Sequence, residues 1–308
     1  MIFNPNPGLH MKTLILLLLA TTTLTACAAD KKIVFLAGKP SHGPGEHEHR
    51  AGSLLLADCI AKVPGVTSVV VSNGWPMDES IFAGAAAVVV YSDGGGGHPF
   101  LQTNRLATLS ALMDKGIGLA GIHYACEPTK EKGQAEFLDW IGGAFEIHWS
   151  VNPHWNAEFK SFPNHPITRG VRAFSMLDEW YFHMRFRDDM KGVTPILSAV
   201  APESTMERPD GTHSGNLTVR DAVKRGEPQL VAWAAERANG GRGFGFTGGH
   251  FHKNWGDDEF RKVVLNAILW VAHAEVPPDG VTSTVTPEQL AANLDAKGGR
   301  PRPKPAAK

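Results

Sequence analysis

Histidine is concentrated where chemistry could use it. The stretch Ser41-His42-Gly43-Pro44-Gly45-Glu46-His47-Glu48-His49 places three imidazoles within eight residues. Neutral imidazole is a common ligand for zinc-like ions, and His47 and His49, one residue apart, would face the same way in an extended segment. This pattern predicts a divalent metal, zinc foremost, held by His42, His47 and His49, with a further ligand from elsewhere in the chain. The competing reading is a solvated loop whose histidines only form hydrogen bonds. No HExxH arrangement is present, because Ala51 stands where its second histidine would be.

Three further segments carry titratable groups. Asp93-Gly94-Gly95-Gly96-Gly97-His98 joins a carboxylate to glycines that let backbone approach a ligand, which makes Asp93 and His98 candidates for substrate binding. Gly121-Ile122-His123-Tyr124-Ala125 has the context of a nucleophile elbow, with a histidine at the tip. Class I glutamine amidotransferases are similar there but carry cysteine in place of His123, so thiol-based glutamine hydrolysis is not available; Cys126 is expected to point away from the tip. Gly249-His250-Phe251-His252 closes the series with His250 as a catalytic and His252 as a substrate-binding candidate. In the middle of the chain, Glu146-Ile147-His148-Trp149, His154-Trp155 and Asp178-Glu179-Trp180 mix aromatics with carboxylates and imidazoles. Such a mixture suits a sugar, whose C–H faces stack on rings while its hydroxyls need polar partners. His148 and Trp149 are substrate-binding candidates, and Glu179 is a candidate acid or base.

These residues need a frame that brings them together. Short runs rich in Val, Ile or Leu at 32–38, 66–72, 86–92 and 117–123 read as buried parallel strands, with helical spacing at 52–63 and 100–115 between them. Strands at 194–200, 229–234 and 243–247 and a helix at 257–273 complete an α/β domain over 30–275, an open, mostly parallel doubly wound (flavodoxin-like) sheet with helices on both faces. Segment 140–187, rich in aromatics, histidines and prolines, is an insertion over the sheet's edge. Four strand ends deliver histidine, and parallel strands present those ends on one edge. The extension 276–308, polar apart from a short capped segment near 286–294, is expected to be largely disordered, the last dozen residues entirely so.

Lys12, the apolar run 14–19 and Leu24-Thr25-Ala26-Cys27 form a lipoprotein-type signal, 1–26, with Met11 a possible true start. The expected mature protein is exported and membrane-anchored through lipid on Cys27. An ordinary signal peptide cut nearby is the alternative. A formal net charge of -1 without long runs of one sign disfavours nucleic acid as a partner, and no nucleotide cofactor is expected. Cys59 reads as a buried small hydrophobe; a bridge to Cys126 has no support in the pattern.

Over roughly 31–274, the order and spacing of Gly121-Ile122-His123, His165-Pro166-Ile167-Thr168-Arg169-Gly170, Asp178-Glu179 and Gly249-His250 resemble the ThuA-like family. That resemblance implies a class I glutamine amidotransferase-like fold without the amidotransferase cysteine, and a role in disaccharide utilisation, including pathways in which a sugar is first oxidised at its third carbon. By position, His123 matches the lost cysteine and His250 the amidotransferase histidine. The expected activity is cleavage or isomerisation of a glycoside or 3-keto glycoside, with Glu179 and His250 as acid and base, His123 binding or polarising substrate, and a metal as possible assistant. The alternatives are a non-catalytic sugar-binding lipoprotein and a structural partner of another exported enzyme.

Overall fold

The computed structural model of the chain describes residues 1–2 and 30–298. The signal segment, Cys27 and the end of the C-terminal tail lie outside the described residues. Eleven strands are present among the described residues: β1 (Lys31–Ala37), β2 (Val66–Val71), β3 (Ala85–Tyr91), β4 (Gly118–Ile122), β5 (Gly143–Ala144), β6 (His154–Phe159), β7 (Phe174–Glu179), β8 (Arg185–Phe186), β9 (Val193–Val200), β10 (Pro228–Glu236) and β11 (Arg242–Phe246). The helices are α1 (His49–Ile60), α2 (Arg105–Asp114), α3 (Gln134–Trp140), α4 (Leu217–Lys224), α5 (Asp258–Val271) and α6 (Pro287–Ala291).

Seven strands form the main sheet in the order β2-β1-β3-β4-β11-β10-β9. The first five run parallel, and β10 is antiparallel to both its neighbours. Side chains alternate between two cores, as a period of two requires. Ile33 and Phe35 of β1 pack with α1 and α5, whereas Val34 and Leu36 pack with α2 and α3 on the other face. Helices therefore cover both faces, as the doubly wound reading predicts. Cys59 and Cys126 are free, buried, and belong to opposite cores, which rules out a bridge between them.

The insertion resolves into two small antiparallel ribbons, β5 with β8 and β6 with β7. In the second, Trp155, Ala157 and Phe159 face the core while His154, Asn156 and Glu158 face out, and the register sets His154 directly opposite Glu179. Trp180 and Trp255 are fully buried and belong to the core. Asp257 starts α5 by accepting from the Glu259 and Phe260 amides.

The extension differs from expectation in its described part. Residues 276–298 lie against the domain: Val276 and Val281 are buried, and α6 opens with a capping box between Thr286 and Gln289. A few buried groups suffice to dock it, although its average composition is polar.

Candidate active site

The carboxyl ends of β1, β3, β4 and β11 share one edge of the sheet, and the loops leaving them meet there. Beyond β1 the chain turns through His47, whose φ of 46° is left-handed, before α1 begins at His49. Strand β4 ends at Ile122 and bends sharply at His123, with φ of 58°. Such angles are uncommon for residues with a Cβ and mark a backbone held by its surroundings. The turn after β11 is held by Asp178, a fully buried carboxylate accepting from the amides of Gly249 (2.8 Å) and His250 (3.0 Å) and from Asn254 Nδ2 (3.0 Å).

Four donor atoms converge. His47 Nε2 lies 3.0 Å from His250 Nδ1 and 3.1 Å from His123 Nε2, while Glu179 Oε2 lies 3.0 Å from His250 Nδ1 and 3.4 Å from His123 Nε2. The outer nitrogens fix the tautomers. His47 Nδ1 donates to Asp93 Oδ1 at 2.7 Å, and His123 Nδ1 donates to the Thr247 carbonyl at 2.8 Å, because a carbonyl can only accept. In their neutral forms His47 and His123 therefore turn bare lone pairs toward each other, and His123 also toward the Glu179 carboxylate. That arrangement demands a cation: either one proton or a metal ion. A tetrahedral site with zinc–ligand bonds of about 2.0–2.1 Å has donor–donor edges of about 3.3 Å, close to these four separations.

Electrostatics follow the same logic. Burial pushes the His47 imidazole down to about 2, even against its bond to Asp93. Burial alone would lower His123 too, but the bond to Glu179 outweighs it and raises His123 above the usual imidazole value. Burial works to raise Glu179, yet the hydrogen bonds with His123 and His250 hold it well below the usual carboxylate range. Asp93 is likewise held low, its bond from His47 overcoming burial. Tyr181 is fully buried, stays protonated because burial raises it, and sets its hydroxyl 3.3 Å from His123 Nε2.

A sequence model for ThuA, described as trehalose utilisation, matches residues 40–271. The chain belongs to the ThuA family. Among solved structures, a ThuA-like protein from Bacteroides uniformis is 15% identical with a TM-score of 0.55, covering 79% of this chain and 92% of that one. A ThuA-like protein from Parabacteroides merdae is 16% identical with a TM-score of 0.50, covering 84% and 94% respectively. These two likenesses concern the fold. No curated protein matches the chain.

The structure of this ThuA-family chain regroups the residues expected from sequence. His42, His123 and His250 do gather at one edge: His42 stacks on His47 with ring centroids 3.5 Å apart and lies edge-on to His250 at 6.0 Å. A single donor set of His42, His47 and His49 is not formed, and the expectation is corrected. The reason is local: α1 starts at His49, so the extended geometry that would align His47 with His49 is absent. His49 is buried and donates Nδ1–H to the Lys39 carbonyl at 3.1 Å. A smaller set of His42, His47 and Asp93 exists beside the main one. Glu179 and His250, expected as acid and base, both belong to the donor cluster.

The substrate-binding candidates are mostly elsewhere. His98 is fully buried, donating Nε2–H to Ala125 O and accepting from the Phe100 amide, so it fastens the glycine loop. Trp149 is stacked on His183 beneath the Arg185 guanidinium, and the carbonyls of exposed His148 and of Trp149 accept from Asn216 Nδ2 at the start of α4. His252 is buried and donates to Leu290 O at 2.9 Å. Asp93 supports His47 and also lines a cavity of about 570 Å³ with Lys39, Asn73, Ser92 and Arg105.

Two features escaped the sequence. His154, visible there only as one residue of an aromatic segment, puts Nε2 3.8 Å from Glu179 Oε1, and both line a cavity of about 270 Å³ with Asn152, Ser204, Thr205 and Arg208. Buried Glu127, four residues past the elbow histidine, accepts from His213 Nε2 at 2.9 Å. Nothing in the spacing of Gly211, His213 and Gly215 signals that contact.

Proposed function

We propose that this ThuA-family protein is an exported, lipid-anchored metalloenzyme of carbohydrate metabolism that cleaves a 3-keto glycoside. The observation that carries the reading is the convergence of His47 Nε2, His123 Nε2, His250 Nδ1 and Glu179 Oε2, whose lone pairs need a cation at their centre. Three imidazoles and one carboxylate suit a divalent first-row transition metal, zinc foremost. Asp93 on His47 and Thr247 O on His123 supply the outer bonds that fix ligand tautomers in metal sites. A cation bound there would supply Lewis-acid polarisation of a sugar carbonyl or hydroxyl oxygen.

The cavity holding His154 and Glu179 Oε1 is the substrate entrance in this reading. Its lining of amide, hydroxyl and guanidinium groups provides partners for sugar hydroxyls. Burial lowers His154, so its imidazole is neutral and basic at neutral pH, with Glu179 beside it to orient the ring. A ketone at the third sugar carbon acidifies the C–H at the second. His154 takes that proton, the C–H electron pair becomes a double bond between the first and second carbons, and the glycosidic C–O bond breaks. The departing oxygen takes its proton back from the imidazolium, so the base is restored. Paired glycosidase carboxylates are not required for this sequence. The acid and base roles thus move from His250 and Glu179 to His154, with Glu179 as ligand and orienter.

Purified protein tests the reading in one series: elemental analysis, then incubation with trehalose and with 3-keto disaccharides, with and without chelator. One equivalent of metal, product from the keto sugar and loss of turnover on chelation are expected. Full activity without stoichiometric metal overturns the metal assignment, and saturable sugar binding without product overturns the enzymatic one.

A further inference from the structure

The C-terminal extension crosses the loop that carries His47. It is tied there by Arg50 Nη1 donating to Asn293 O at 3.1 Å and by the Asp295 amide donating to Glu48 Oε2 at 2.8 Å. Lys297 then enters the loop itself. Its ammonium lies 3.2 Å from Glu48 Oε1, with only 4% of the Lys297 side chain and 1% of the Glu48 side chain exposed. It also donates to the carbonyl of His47 at 3.2 Å and to that of Glu46.

Lysine is almost never fully buried without partners, since its charge must leave water. Here all three ammonium hydrogens have acceptors: one carboxylate and two carbonyls. The two carbonyls belong to the peptide groups on either side of the His47 Cα. Pinning both planes to one point fixes the backbone at His47, whose left-handed φ of 46° would otherwise relax toward more favourable regions. The direction of the imidazole follows from that backbone. The same Glu48 Oε1 also accepts from the Gly45 amide at 3.0 Å, which ties the start of the loop to the arrangement.

We propose that residues 286–297 form a strap that completes the site and that Lys297 is the positioning residue for His47. The strap lies outside residues 40–271, the stretch matched by the family model. The inference rests on the reading of the cluster as a metal centre, and its test separates the two.

The experiment compares full-length parent, Lys297→Met and Lys297→Arg for metal affinity and for the visible spectrum of the cobalt-substituted protein. Lys297→Met is expected to weaken metal binding about 10- to 100-fold, the range for removing outer supports of a ligand, and to alter the cobalt spectrum. Lys297→Arg is expected to recover most of both, because a guanidinium can also satisfy carboxylate and carbonyls. Parent-like affinity and spectrum in Lys297→Met overturn the strap's positioning role, even if its melting temperature falls. Should Lys297→Met not fold, Glu48→Gln, which keeps the side chain's shape and removes its charge, carries the same expectations. If the parent binds no metal, the metal reading falls, and the strap is judged from the ¹⁵N signals of the His47 ring in histidine-labelled protein. Lys297→Met must then shift them, and unchanged signals overturn it.

Discussion

His47 Nδ1 donates to Asp93 Oδ1 at 2.7 Å, joining the loop after β1 to the end of β3. These two strands are neighbours at the point where the sheet's order reverses, so the contact ties together the two halves of a doubly wound sheet. Asp93 holds the His47 ring and fixes which nitrogen is bare. Asp93→Asn keeps the shape but can present an N–H where a carboxylate accepted. It is expected to lower metal affinity about 10- to 100-fold without removing the site. Competition titration against a chelator of known affinity measures this, and parent-like affinity refutes it.

Asp178 has a comparable role for His250. Its two oxygens accept from the Gly249 and His250 amides and from Asn254 Nδ2 while the side chain is wholly buried. In Asp178→Asn an amide donor faces backbone donors. A destabilisation of about 2–3 kcal/mol is expected, with loss of metal as the 249–250 turn shifts. Urea unfolding combined with elemental analysis reads both effects, and retention of parent stability contradicts the assignment.

The Glu127–His213 contact is a buried pair that should behave non-additively. Burial raises Glu127 above the usual carboxylate value, and the bond to Glu127 raises His213. His213→Ala leaves the carboxylate without its partner, at a cost of about 1–3 kcal/mol. Adding Glu127→Met should recover at least half of that loss, because an apolar replacement of both partners removes the desolvation penalty. A double-mutant cycle on urea midpoints decides, and strict additivity rejects the coupling.

Acid lability should arise from histidines buried neutral. Burial takes His98 and His49 down to about 4, against about 6.5 in the unfolded chain. The unfolded state binds their protons first. Their stabilisation is therefore complete above about pH 6.5 and falls as pH drops toward 4, by up to about 3 kcal/mol for His98. His123 and His213, raised in the folded state, act oppositely: their contribution is full below about 6.5 and is lost as pH rises through their folded values. In the chelator-treated protein a net fall in stability is expected between pH 6.5 and 4.5, with a shallower slope in His98→Asn. Equal slopes in parent and variant count against this origin.

Much of the frame was legible because parallel buried strands leave a plain signature. The apolar runs at 32–38 and 86–92 correspond to β1 and β3 within a residue, and histidines placed after strands had to share an edge. His123 at an elbow was readable for the same reason. The partner of Glu179 was not, since His154 reaches it only through the pairing of β6 with β7, which depends on how the ribbon's apolar face meets the core. His47 and His49 look equivalent in sequence, and a helix start between them separates their fates. The docking of Lys297 is hidden in a polar tail, where one buried ammonium among many solvated ones leaves no compositional trace.

The β6–β7 ribbon also governs how the site could fail. Because successive residues of a strand face opposite ways, a slip of one residue between β6 and β7 would exchange Glu179 for Asp178 or Trp180 at the position across from His154. The ribbon adjoins the main sheet without belonging to it, yet Trp155, Ala157 and Phe159 are part of the main core, so such an error would also turn buried apolar side chains of the ribbon away from that core. Correct alignment of this two-stranded appendage thus serves the candidate site and the core at once: a misaligned molecule would lose buried apolar contacts together with the Glu179 carboxylate across from His154.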